Sequence, residues 1–236
     1  MNSTNTNTNT KIVVVDFAGT LVPLKHIHEA NDFRSKILQT ALPTDDMHAQ
    51  NEKLYECNNE AVESVTGITK DMQIVQTDIS LDEITLSGEN IQTQIATNLF
   101  QIGMYVCAKK YGESFFTPHF IKTLQTIRER GYTLAIVSGI RTDIISGILE
   151  ICGVSDFTYI FGQPTILGVS NEDNYAELSQ YGLITHIIGD KLSDIQAAKD
   201  IDCQSIFVTW GTPTGGEEDI ATYTLTKPQE LLDIIR

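Results

Sequence analysis

Three carboxylates and two hydroxyls in this chain stand where short apolar runs give way to small residues. Asp16 follows the run Ile-Val-Val-Val at 12–15 and leads into Phe-Ala-Gly-Thr20. Ser138 closes the run at 132–137 and is followed by Gly139. Asp190 follows Gly189 at the end of a further apolar run, and Asp194 lies one helical turn beyond it. Buried carboxylates brought together repel one another and tend to take up protons. A hard cation removes that conflict, and oxygen-only ligands favour Mg2+. Such an ion also binds a phosphate oxygen and neutralises charge that develops on it. A carboxylate beside it can attack phosphorus and form an acyl-phosphate that water hydrolyses. Ser138 can donate a hydrogen bond to the same phosphate. Thr20 and the backbone amides after Asp16 can serve as an anion cradle.

The elements that must position these residues alternate. Residues 12–15 are mostly β-branched and apolar on both faces, which predicts a strand buried on both sides, as in a parallel sheet. Thr117-Pro118 has the N-cap and N1 form of a helix start, with Phe120, Ile121, Leu124 and Ile127 inward and Gly131 as the stop. A strand over 132–138 follows, then a helix over 141–152 and a strand candidate at 157–161. A helix over 172–181 and a strand over 183–188 lead to Gly189-Asp190. A helix over 193–200, a strand over 205–209, a short strand near Tyr223 and a helix from Pro228 complete the reading. Strands alternating with helices predict a parallel sheet with right-handed crossovers, an α/β Rossmann-like core. Asp16, Ser138 and Asp190 with Asp194 then share one sheet edge, where ligands of open α/β sheets bind.

Between the first two strands the character changes. From residue 23 to 116 branched apolar runs vanish and helical spacing takes over. Thr44-Asp45-Asp46 starts one helix, with Leu54, Ala61 and Val65 on one face and Gly67 at its end. A second begins near Ser87, with Ile91, Ile95, Leu99, Ile102 and Val106 in one stripe and Lys109 and Lys110 near its end. The domain reading is a polar, disordered tail at 1–10, a core at 11–22 and 117–236, and a helical insertion at 23–116.

Composition narrows the partners. The formal charge of −15 argues against nucleic acid or anionic membrane as a partner. An anionic substrate therefore needs a local positive site. No apolar run approaches the roughly 20 residues of a membrane span, and no secretion signal is evident at the N-terminus. Cys57, Cys107, Cys152 and Cys203 lie far apart, without a Cys-x-x-Cys pair or zinc spacing, which predicts reduced, packed thiols in a cytoplasmic protein. Oligomeric state is not legible.

The ordered motifs resemble the haloacid dehalogenase-like (HAD) hydrolase superfamily. Its first motif, Asp-x-Asp-x-Thr after a strand, is matched by Asp16-Phe-Ala-Gly-Thr20. Its second, a Ser or Thr ending the next core strand, is matched by Ser138-Gly139. Its fourth, Gly-Asp-x-x-x-Asp, is matched by Gly189-Asp190-Lys-Leu-Ser-Asp194. The resemblance covers the chain except the tail, including an α-helical cap between the first two motifs. It implies a Mg2+-dependent phosphohydrolase of a small phosphorylated metabolite, with a cap closing over the site. Asp16 would be nucleophile and metal ligand, and the Ala18 carbonyl, Asp190 and Asp194 further metal ligands. Ser138 and Gly139, with Thr20, would hold the phosphoryl group.

Two positions depart from the pattern. The second Asp of the first motif, which protonates the leaving group and activates water, is Ala18 here. The third motif, a Lys or Arg between the second and fourth, has no counterpart from residue 142 to 190. Arg141 and Lys191 bracket that gap and are the candidate substitutes, Arg141 the more favoured for phosphate contact. Three readings of Ala18 compete: a phosphohydrolase with its acid–base role supplied elsewhere, a non-catalytic binding protein, or a C–P hydrolase resembling phosphonoacetaldehyde hydrolase, with cap residue Lys53 as its Schiff-base lysine.

Overall fold

The computed structural model describes residues 10–41, 91–163 and 171–236. The chain divides into two compact units, Met1–Leu24 with Gly112–Arg236, and Lys25–Tyr111.

The first unit is built on β1 (Lys11–Val15). Its residues 12–15 are wholly buried: parallel partners cover its edges, and Ile12 and Val14 pack in a cluster with Tyr175, Leu178 and Ala198 from the helices. Val15 pairs with Ile136 of β2 (Thr133–Arg141) and with Ile188 of β4 (Leu183–Gly189). With β3 (Phe157–Gln163), β5 (Gln204–Val208) and β6 (Tyr223–Leu225) these form one six-stranded sheet of order β3-β2-β1-β4-β5-β6. Every pairing is parallel. The chain winds outward from β1 to β3, then returns to the other side of β1 at β4. The strand order therefore reverses between β1 and β4. A crevice opens outside the carboxyl ends of strands at such a point, and Asp16 and Asp190 follow the two strands that flank it.

Two expectations need correction in this unit. Strand β2 does not stop at Ser138 but runs to Arg141, its pairing with β3 irregular between Val137 and Arg141. The next helix begins one residue late, at Thr142 (α4, Thr142–Ile151). The Thr117-Pro118 signature does not start its helix either. Helix α3 is Phe120–Glu129, entered through a left-handed His119 (φ 66°). Thr117 instead serves the loop after β1: its hydroxyl donates to the Thr20 carbonyl (3.1 Å), and its amide donates to the Leu21 carbonyl (2.9 Å). The remaining described helices are α5 (Asn171–Leu178), α6 (Leu192–Asp200) and the short α7 (Glu217–Ile220) and α8 (Leu231–Ile234).

The described part of the second unit consists of helix α1 (Leu24–Ala41) and helix α2 (Ile91–Tyr111). The sequence reading puts residues 24–41 in the helical insertion without delimiting a helix there. Its side chains are largely polar, and among those described only His26 and Ala30 are fully buried. The two helices approach closely at Gly103, where a Cβ would stand 2.8 Å from the Ala30 carbonyl oxygen. Glu29 and Lys110 pair across them at 2.5 Å, and the His26 ring lies 4.4 Å from that of Tyr111. The helix expected from Thr44, and Lys53 and Cys57, lie outside the described residues. Cys107 and Cys152 are buried, Cys203 half-buried, and all three are free. Burial pushes their thiols up to about 11, 11 and 12, so thiolate chemistry is disfavoured. Among the described residues no helix is long and apolar enough to cross a membrane.

Candidate active site

The loop after β1 is folded back on itself by its own backbone. The Asp16 amide donates to the Ile188 carbonyl (2.9 Å), which fixes the residue against β4. The Leu21 and Val22 amides donate to the Phe17 carbonyl (3.1 and 2.9 Å), and the Gly19 amide to the Val22 carbonyl (2.9 Å). These amides are engaged within the loop, so the expected anion cradle loses three of its donors. Ala18 is half-buried and forms an isolated bridge with Val22. The Thr20 carbonyl accepts from the Thr117 hydroxyl (3.1 Å) and from Trp210 Nε1 (3.0 Å), whose ring meets Phe120 edge-on.

This loop brings Asp16 to the two acids that follow β4. One carboxylate oxygen from each of Asp16, Asp190 and Asp194 lies within 4.8 Å of the others. Asp190 is wholly buried, with Oδ1 accepting from the Thr20 hydroxyl (3.2 Å) and Oδ2 from the Thr212 amide (2.5 Å). Asp194 Oδ2 accepts from the Lys191 amide (3.1 Å). Asp16 Oδ2 is buried and has no hydrogen-bond partner. Three glycines leave room for these acids. A Cβ at Gly19 would stand 2.2 Å from Asp190 Oδ2, one at Gly211 2.2 Å from Asp190 Cβ, and one at Gly189 2.3 Å from Asp194 Cβ. Only Gly19 among the three also has a left-handed φ, +99°.

The electrostatics follow from that crowding. Burial, then the charges of Asp194 and Asp190, raise Asp16 well above the ordinary carboxylate range, and Lys191 opposes the rise. Burial raises Asp194 to about 6. An orphaned, buried carboxylate oxygen facing two more acids is the donor set of a hard divalent cation. The residues present therefore fit a metal ion.

The other predicted site residues are placed as follows. Ser138 is buried, and its oxygen accepts the Ile140 amide (3.3 Å). Gly139 is exposed, with open space where a Cβ would go. Arg141 is buried, and its guanidinium forks onto Asp143 through Nε (3.0 Å) and a terminal nitrogen (2.6 Å). Its charge is thus shared with an acid two residues away. Lys191 precedes α6 in extended conformation, and its charge bears on both Asp16 and Asp194. The Thr20 hydroxyl is engaged with Asp190. The segment 210–213 after the last main strand is a candidate wall of the site in the sequence, but the contact its Thr212 amide makes is one that no residue type announces. The sequence reading missed Tyr175 of α5, a buried phenol whose pKa is raised by burial and then by the Asp194 and Asp16 charges.

A family model described as haloacid dehalogenase-like hydrolase matches residues 46–208, more than half of the chain. This protein belongs to that family. The match takes in Ser138, Asp190 and Asp194 but begins after β1, so the place of Asp16 rests on the geometry above. The HAD chain is 29% identical over 137 residues to a phosphoglycolate phosphatase of Salmonella choleraesuis, across 52% of its own length and 51% of the relative's. It therefore spans about half the length of the curated relatives it matches. In fold it is similar to a predicted phosphoglycolate phosphatase from Haemophilus somnus, with a TM-score of 0.60 at 16% identity over 98% of this chain and 100% of that one. It is also similar to a HAD-hydrolase from Bacillus subtilis solved with magnesium, with a TM-score of 0.53 at 18% identity over 96% and 99%. These likenesses match the HAD-type α/β core expected from the motifs.

Proposed function

We propose that this HAD-family chain is a Mg2+-dependent phosphohydrolase of a small phosphorylated metabolite, working through an aspartyl-phosphate at Asp16 with slow turnover. One observation carries the reading: Asp16 Oδ2 is buried, unpartnered and close to the Asp190 and Asp194 carboxylates. Asp16, Asp190 and Asp194, with the Ala18 carbonyl, would hold Mg2+. The ion would supply charge neutralisation at the nucleophile and the phosphoryl oxygens. Magnesium in the Bacillus subtilis fold neighbour supports its choice.

The chain's own residues divide the remaining work. Asp16 attacks phosphorus through a carboxylate oxygen, and the ester oxygen of the substrate leaves with the electron pair. Ser138, whose oxygen already accepts the Ile140 amide, keeps its hydrogen to donate to a phosphoryl oxygen, beside open space at Gly139. Lys191, with its charge felt at Asp16, balances the anionic phosphoryl group in place of the missing cation. Arg141, held by Asp143, is the lesser partner. Thr20 aims Asp190 rather than the phosphate. Water then hydrolyses the aspartyl-phosphate. With Ala18 in place of an Asp, neither the leaving group nor that water meets a positioned acid–base at this point of the loop.

A phosphate-release screen with Mg2+, starting from phosphoglycolate because the curated relatives carry that name, is expected to find a substrate whose hydrolysis Asp16→Asn abolishes. Release that survives Asp16→Asn would overturn the nucleophile assignment. Ala18 and the 142–190 gap favour one second reading, a HAD-fold binding protein without turnover. It predicts ligand-dependent thermal shifts and no Asp16-dependent release from any phosphate ester.

A further inference from the structure

The segment after β5 touches the carboxylate cluster through its backbone. The Thr212 amide donates to Asp190 Oδ2, and Gly211 packs where a Cβ would strike the Asp190 side chain. Three of its residues are glycines, and Gly215 and Gly216 have left-handed φ of +104° and +90°. Such a segment does not hold one shape by its own preferences. Glu217 holds it. Its buried carboxylate accepts the Thr214 amide and hydroxyl, both at 2.5 Å, and the Gly215 amide at 3.1 and 2.8 Å. The Thr214 hydroxyl oxygen also accepts the Leu192 amide (3.4 Å), in the first turn of α6. One buried acid thus ties the segment that aims Asp190 to the helix that carries Asp194.

We propose that Glu217 is a positioning residue for the carboxylate cluster: it fixes the 209–216 segment, whose Thr212 amide aims Asp190, and thereby sets the affinity for a divalent cation. The proposal rests on the cation-binding reading above. Glu217 touches neither the cation nor the reacting atoms. Groups hydrogen-bonded directly to a metal ligand, as the Thr212 amide is to Asp190, are typically worth about 10–100-fold in metal affinity, and Glu217 acts one step behind that amide, at the lower end of the range.

The test is titration of the full chain with Mn2+, followed by electron paramagnetic resonance of the free ion. Glu217→Gln keeps the side-chain volume but presents an amide nitrogen to backbone donors. It is expected to raise the Mn2+ dissociation constant about 10-fold, with the far-UV circular dichroism and cooperative melt of wild type. Thr214→Val is expected to raise it severalfold. Tyr132→Phe, which loses a hydrogen bond to the Arg236 carbonyl, is expected to leave it unchanged. Glu217→Gln and Thr214→Val both binding within twofold of wild type overturns the proposal, as does an equal loss in Tyr132→Phe, which would assign the effect to general destabilisation. Where Glu217→Gln does not fold, Thr214→Val decides by the same criterion. A wild-type chain that binds no Mn2+ overturns the reading of the cluster itself, and this proposal with it.

Discussion

The proposed chemistry turns on a single buried oxygen, Asp16 Oδ2, which has no hydrogen-bond partner. Its two acidic neighbours make proton uptake the alternative to cation binding. That choice is measurable as a pH dependence. The folded chain holds protons at Asp16 and Asp194 that the unfolded chain releases near pH 4. At these two acids the native state binds more protons through this window, so their contribution to stability falls as pH rises, while Glu217, lowered to about 2, contributes the opposite slope only up to about pH 5. For the metal-free protein the melting midpoint is expected to drop between about pH 4 and 6, with Asp194 raised to about 6. Saturating Mg2+ is expected to flatten or reverse the slope, because binding requires the deprotonated acids. A midpoint that rises with pH in EDTA would count against the assignment. Ala18 offers the second test at this scale. General acid–base catalysis is worth about 10²–10⁴-fold, so Ala18→Asp is expected to raise kcat on the best substrate by that order. No gain in kcat would favour the binding reading.

Among the elements, α1 and α2 come into backbone contact at Gly103. A side chain at Gly103 must displace the backbone of Ala30. Gly103→Val is expected to lower stability by about 1–3 kcal/mol in urea denaturation, and an unchanged midpoint would mean the helices part easily. The elements also show what a sequence reveals and what it hides. Strands β1 and β4 were legible because branched apolar runs on both faces have few uses other than a covered parallel sheet. Asp16 and Asp190 were legible for the same reason, since each follows such a run. Helix α1 was not delimited, although Leu24, Ile27, Ala30, Phe33, Ile37 and Ala41 recur at helical spacing, because no cap or stop residue marks its ends as clearly as those of the longer segments. Thr117-Pro118 looked like a helix cap, but the hydroxyl was recruited by the Thr20 carbonyl across the fold. The Thr212 amide that aims Asp190 was illegible in principle, since every residue but proline carries one.

For the whole molecule, the net charge of −15 works against the anionic substrate the site is proposed to take. Capture then depends on the local cation and on Lys191 within a repelling field. Salt at 0.1 M screens exposed charges that lie more than about 10 Å apart. KM for a phosphorylated acid is therefore expected to fall about 2–5-fold from low to physiological ionic strength at fixed free Mg2+. Steady-state kinetics across that range would reveal the opposite trend if the site's own field dominated.

The central position of β1 has a consequence for how the protein is made. This strand is near the start of the chain, yet the Thr20 hydroxyl meets its partner Asp190 across 170 residues. The segment 12–15, apolar on both faces, leaves the ribosome long before β4 exists to cover it. Contacts of such sequence separation close late and expose unpaired strand edges in the meantime. The carboxylate cluster is therefore among the last features to assemble, and a chain cut short before β4 carries Asp16 without its companions. Cation binding at the proposed site would therefore report that β4 and the acids that follow it have been made and have closed onto β1.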